Sequence, residues 1–347
     1  MSHGSRGIFL TTLLLILSTV LLTVPISVAQ EAGKVGIDQT PNRIMGMERE
    51  DAQTALQEMT NLLEDMGFEV VLLDEISYDS IKDLDVLILG KIDRPEYGYS
   101  SDEVSAIARW FKEGGKFLWV AADSDYTEPY LDPNDITFKA AEPNEILEAI
   151  GSTIRADYMS VEDPENNAGA SYRVVANRSV DGINDHPVTR NVDRLLVHGP
   201  TGLAGFIDGE WVDFETLVEM DPTVTWLART GPKGVVVSHD GVDPNAYEVG
   251  FEGRLYLVAV QEIRVAESLT EVVYSKVLVS GDSPIGSYNM FKDEYKGVSL
   301  DGIQFFRNAI EWGTEVKTES NMTMMVGLIA VILVVLAAVA FVFLKRK

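Results

Sequence analysis

From Met324 to Leu344 the chain carries no charge, no proline and a single glycine, and Val, Leu, Ile and Ala dominate the segment. At about 1.5 Å per residue a helix of that length reaches about 30 Å, the thickness of a bilayer's hydrocarbon core. A helix buried in a water-soluble protein normally keeps a polar stripe, and this segment has none. Lys345-Arg346-Lys347 follows at once, and basic residues stay on the cytoplasmic side. The other end agrees. Arg6 precedes an uncharged apolar run from Ile8 to Val24, and Ser27-Val28-Ala29 supplies the small residues a signal peptidase reads. An uncleaved N-terminal anchor is the alternative. The pattern predicts a signal peptide over 1–29, an ectodomain over 30–312, a polar stalk over 313–323, one transmembrane helix over 324–344 and a cytoplasmic tail over 345–347. The ectodomain is thereby expected outside the cytoplasm, with the membrane as a partner.

Charge narrows the partners of that ectodomain. The chain has 54 acidic and 28 basic residues. Arg6 and the last three residues lie outside the segment between the apolar ends, which leaves 24 minus 54, or −30, on it. Such a surface repels nucleic-acid phosphates and anionic lipid heads. The acids are dispersed among ample apolar residues, so the segment is expected to fold rather than to behave as an acidic tail. There is no cysteine. A cysteine nucleophile, a thiolate metal site and disulfide staples are therefore excluded, and stability must come from the core.

The first half alternates strand and helix patterns. Lys34–Asp38, Phe68–Leu73, Asp85–Leu89 and Lys116–Ala121 are short, largely apolar runs of the kind buried on both faces. Between them, Glu48–Met66 is amphipathic and stops at Gly67, and Ser100 with Glu103 forms a capping box for a helix that Gly114-Gly115 ends. A further short helix is expected over Pro143–Ile150, followed by a polar loop over Glu162–Gly169. Residues 170–262 then read as β-rich, with runs at Tyr172–Ala176, Leu195–His198, Val224–Arg229, Gly234–Ser238 and Arg254–Val260. Lys276–Ser280 and a helix over Ser299–Trp312 return to the first pattern. The order predicts an α/β fold: a doubly wound, mostly parallel, flavodoxin-like sheet with a β-rich insertion.

The stretches Ala55–Leu73, Asp85–Gly90, Ser101–Ala122, His186-Pro187-Val188-Thr189, Lys276–Asp282 and Asp301–Trp312, in this order, resemble the class I glutamine-amidotransferase-like superfamily. The pattern looks closest to its non-catalytic branch: auxiliary ectodomains of ABC-transporter and gliding-type systems, intraflagellar-transport-type domains and related uncharacterised membrane-anchored domains. The catalytic branch carries a cysteine on the turn after the strand matching Lys116–Ala121. Here that turn reads Ala122-Asp123-Ser124-Asp125, so the resemblance implies a fold without the amidotransfer chemistry.

Ligands of open α/β sheets bind beyond the carboxyl ends of the strands. Asp38, Lys91, Asp123, Ser124, Asp125 and Asp282 are expected at that edge. The acids Asp38, Asp123, Asp125 and Asp282 are candidate ligands for Ca²⁺ or Mg²⁺, which take oxygen donors; the same residues serve equally as caps and turns. No calcium-loop or H-E-x-x-H spacing exists. Ser124 is a candidate nucleophile with His186, His198 or His239 as base, but its surroundings are not G-x-S-x-G. His186 reads as a turn residue before Pro187, and Tyr97 and Tyr99 as loop contact residues. Asn177 and Asn321 begin glycosylation sequons. These readings lead to a membrane-anchored, non-catalytic interaction or ligand-binding ectodomain with a protein partner in the envelope. A metal- or Ser/Asp-dependent hydrolase and a structural envelope protein are the alternatives.

Overall fold

The computed structural model describes residues 33–92, 94, 97–126, 138–239, 241–267, 271–315 and 318–320, with backbone alone at 138–142, 267, 271 and 318–320. The expected signal peptide, transmembrane helix, tail and the Asn321 sequon lie outside these residues. Among the described residues no helix is long and apolar enough to cross a membrane.

The central sheet is built from β1 (Lys34–Asp38), β2 (Glu69–Leu73), β3 (Val86–Leu89), β4 (Phe117–Ala121), β5 (Val224–Arg229), β6 (Tyr256–Glu267), β7 (Glu271–Ser280) and β8 (Thr318–Ser320). Its order is β5-β6-β7-β4-β3-β1-β2, with β8 on the side of β7. The pairs β2–β1, β1–β3, β3–β4 and β4–β7 are parallel. The pairs β7–β6, β6–β5 and β7–β8 are antiparallel. The helices are α1 (Glu50–Asp65), α2 (Tyr78–Ile81), α3 (Ser101–Phe111), α4 (Phe138–Ile150), α5 (Phe214–Met220) and α6 (Gly302–Thr314).

Period-two alternation sends successive strand residues to opposite faces, and both faces are covered. Val86, Ile88, Phe117 and Trp119 pack with Met59 and Leu63 of α1 and Phe305, Phe306 and Ile310 of α6. Leu87, Leu89, Leu118 and Val120 pack with Ile107, Trp110 and Phe111 of α3 and Ile146 and Leu147 of α4. Trp119 anchors the first layer: it meets Phe305 edge-on at 5.9 Å and stacks on Phe306 at 5.8 Å. Its indole N–H donates to Ser280 Oγ at 2.9 Å. Gly313 is required where α6 crosses the sheet, since a Cβ there would lie 2.2 Å from the Phe117 ring.

The β-rich middle divides. β5 and β6 continue the central sheet in antiparallel fashion, whereas the rest forms small sheets: Leu203–Ile207 with Glu210–Asp213 and Ile154–Ala156, Gly234–Val237 with Ser160–Glu162 and Glu252–Gly253, and Arg173–Asn177 with Arg194–His198. Three expectations change. Strand β6 runs on past Val260 through the polar Glu262 and Arg264, and β7 begins at Glu271, five residues before the expected start at Lys276. Helix α4 starts before Pro143 and carries it inside, although proline prefers a first turn. In the expected stalk, α6 continues to Thr314 and Thr318–Ser320 pairs with β7.

Candidate functional site

Loops leave the carboxyl ends of the five parallel strands β2, β1, β3, β4 and β7, and the polar residues there divide into two clusters. At β1, Asp38 is fully buried and accepts from Thr40 N at 2.9 Å and Thr40 Oγ1 at 2.7 Å. Arg43 reaches it at 3.4 Å and binds Glu103 at 2.7 Å. The same guanidinium donates to the Tyr97 carbonyl at 2.9 Å and lies 4.5 Å from the Tyr99 ring centroid. Asp38, Tyr97 and Tyr99 therefore form a structural node that ties the loop after β1 to α3. Strand order explains the divergence from expectation: β3 lies between β1 and β4, so Asp38 stands about two strand spacings, roughly 10 Å, from the loop after β4.

The second cluster is centred on Lys91, which leaves β3 between β1 and β4. Its buried ammonium lies 3.1 Å from Asp282 Oδ1 and 3.8 Å from Asp123 Oδ1. Burial opposes the ammonium, but Asp123 and Asp282 outweigh it and hold Lys91 above its ordinary range. Burial also raises the Asp282 carboxyl, against the pull of Lys91 and the backbone N–H groups of His198 and Ser283. Those N–H groups donate at 2.8 and 2.7 Å. Gly281 permits this turn, because a Cβ there would strike the Thr201 carbonyl at 2.1 Å.

Asp123-Ser124-Asp125 forms a turn with bonds both inside and outside itself. Ser124 N donates to Asp123 Oδ1 at 2.9 Å, and Ser124 Oγ accepts from Tyr126 N at 3.4 Å. Asp125 accepts from Ser160 Oγ at 2.5 Å and from His239 N at 2.8 Å, which joins the central sheet to the β-rich part. None of these three residues has the left-handed backbone of a strained nucleophile turn.

Above Lys91 opens a cavity of about 330 Å³, walled by Asp123, Ser124, Glu162, Arg173, His198 and His239 and rimmed by Tyr126, Tyr172 and Tyr288, with Met45 and Val161 as apolar lining. The three tyrosines are 55%, 40% and 38% exposed, so aromatic surface is presented at the mouth rather than hidden. Tyr288 holds a left-handed backbone with φ +56°, which a bulky residue adopts only under constraint. Its ring stacks on His198 at 4.5 Å, and Tyr172 and Tyr295 meet the same imidazole edge-on. Burial, with Lys91 and Arg173 nearby, lowers His198 to about 4, so the ring is neutral at physiological pH. The larger hollow of about 750 Å³ between α1 and Phe291–Glu294 is a surface groove lined by five carboxylates and lacks this convergence.

Of the residues singled out in the sequence, Lys91, Asp123, Ser124, His198 and His239 share the cavity; Asp282 and Asp125 stand behind it, and Asp38 does not contribute. The expected Ca²⁺ or Mg²⁺ set of Asp38, Asp123, Asp125 and Asp282 is not assembled. Among the described residues no group of His, Asp or Glu is placed to hold a metal ion. His186 caps the turn 187–189, its Nδ1 accepting from Val188 N at 3.2 Å. Asn177 caps the next turn, its Oδ1 accepting from Ser179 N at 3.0 Å. The residues that sequence reasoning missed, Tyr126, Glu162, Tyr172, Arg173 and Tyr288, come from loops and from the ends of two short strands, and no local motif marks them.

The fold and cavity define a mixed α/β protein with a mostly parallel central sheet and a cavity at its strand ends. No protein-family model matches the sequence, and no curated protein matches it. Among solved structures, the chain is similar to a ThuA-like protein from Bacteroides uniformis. The identity is 13% and the TM-score 0.42, over 83% of this chain and 94% of that one. A likeness of that size carries no assignment of activity.

Proposed function

We propose that this chain is a membrane-tethered, non-catalytic binding domain that holds a small polar molecule in the strand-end cavity, as the auxiliary component of a transporter or cell-surface complex. One observation carries the reading. The turn after β4, where the catalytic amidotransferase-like branch presents its nucleophile, carries Asp123 beside the buried Lys91–Asp282 pair. A hydroxyl or thiol nucleophile needs a base within hydrogen-bond reach and a third group to orient that base; Asp123 is neither, and its carboxylate faces the Lys91 ammonium, which draws on the electron pairs it would attack with. The apolar segment 324–344 and its basic tail support tethering, and the exposed tyrosine rim supports contact with a ligand or partner.

A hydrolase is the second reading, favoured by Ser124, His198 and His239 facing one cavity. Among the described hydrogen bonds none joins the Ser124 hydroxyl to either imidazole. Incubating the detergent-solubilised full chain with esters, amides and peptides discriminates the two. We expect no turnover. Activity abolished by Ser124→Ala or Asp123→Asn, with the thermal midpoint unchanged, would replace the binding reading with the hydrolase.

A further inference from the structure

Within the cavity wall the charges are not equivalent. Lys91 is committed to Asp282 and Asp123, and the Glu162 carboxylate accepts from the Ser171 hydroxyl. Arg173 lines the same space and forms no ion pair among the described residues. Its guanidinium is held in place nonetheless. Nη2 donates to the Tyr172 hydroxyl at 2.8 Å, the group lies 4.9 Å from the Tyr172 ring centroid, and it acts on the Tyr295 hydroxyl as well. Its Nε is shielded from solvent and has no hydrogen-bond partner. An arginine oriented by tyrosines, lining a cavity and held to no carboxylate among the described residues, is prepared for a planar two-oxygen acceptor on its terminal nitrogens.

We infer that the cavity takes a small monoanionic organic carboxylate, its two oxygens on the Arg173 fork and its body against Tyr288, Met45 and Val161. This rests on the binding reading given above. Geometry limits the ligand in two ways. A volume of about 330 Å³ lies at the small end of ligand sites, so the body is a single ring or a short chain. Asp123 and Glu162 on the same walls disfavour a multiply charged anion such as a phosphate ester. The neutral His198 imidazole beside Arg173 adds a hydrogen-bonding group without adding charge.

Three probes of one shape and different charge test the inference: benzoate, benzamide and benzylammonium, titrated calorimetrically into the solubilised full chain. Benzoate is expected to bind saturably and at least about tenfold more tightly than either isostere. Arg173→Gln should erase that preference, and Arg173→Lys should keep part of it, with unliganded melting midpoints near the parent's. Equal or tighter binding of benzamide or benzylammonium, an intact benzoate preference in Arg173→Gln, or no benzoate binding at about 10 mM overturns the carboxylate class. If a neutral or cationic probe binds and Tyr288→Asn, which tolerates the left-handed backbone, removes it, the binding domain stands and only the ligand class falls. Turnover in the hydrolase assay would remove the underlying reading itself.

Discussion

Replacing Lys91 by methionine keeps most of the stem's volume and removes the charge. The two carboxylates it serves would then face each other in a site where Lys91 and Asp282 are 3% and 0% exposed. Breaking a buried pair by deleting one partner costs about 3–5 kcal/mol, because the remaining charge is left without compensation. At about 2 cal/mol/K of unfolding entropy per residue, a folded domain of this size should lose about 5–8 °C of melting temperature. The pH dependence gives the sharper signature. Burial already raises the Asp282 carboxyl in the parent, with Lys91 opposing it, so the variant raises it further. A carboxyl whose folded-state pKa lies above its unfolded value binds more protons when folded, and stability falls as pH rises through that interval. The deficit of Lys91→Met should therefore shrink toward pH 5 and widen toward pH 8, and Lys91→Met with Asp282→Asn should recover much of it. Urea unfolding at several pH values checks this. A loss below about 1 kcal/mol, or a deficit independent of pH, would refute the account of Lys91 as a buried counter-ion.

Burial is the first cause that lowers His186 and His198 to about 4. The unfolded rings take up protons near pH 6.5, so stability should fall as pH drops from about 6.5 to 4 and level off below, by at most roughly 3 kcal/mol per ring. Replacing both by glutamine should flatten that part of a chemical-denaturation profile. Trp119→Ala removes a fully buried ring together with its bond to Ser280 and should cost about 3–5 kcal/mol by urea titration. A loss under about 1 kcal/mol would show that the layer between β4 and α6 is misassigned. The proposed tethering predicts that protease added outside intact cells removes nearly all of the mass; protection would refute that orientation.

The paired burial of β3 and β4 was legible from composition alone. Val86-Leu87-Ile88-Leu89 and Phe117-Leu118-Trp119-Val120-Ala121 contain no polar position, and a strand without a polar face must be covered on both sides. The Ser100–Glu103 capping box forms as read, since its hydrogen bonds span a single turn. Carboxylate placement at the strand ends was legible only in one dimension. Asp38, Asp123 and Asp282 each lie at the end of a parallel strand, yet strand order, a property of the whole sheet, sets the end of β3 beside that of β4, where the Lys91 ammonium meets Asp123 and Asp282, and leaves Asp38 with Arg43. The cavity wall lay further out of reach. Tyr172, Arg173, His198 and Tyr288 converge through turns in the β-rich part and after β7, whose separations in sequence carry no periodicity. Periodicity thus determined the layers of the sheet, because burial follows from local transfer of side chains out of water, and the lack of cysteine excluded thiol chemistry. Which polar groups meet was decided by tertiary packing, because an ion pair forms wherever the fold brings opposite charges within a few ångströms, whatever their distance along the chain.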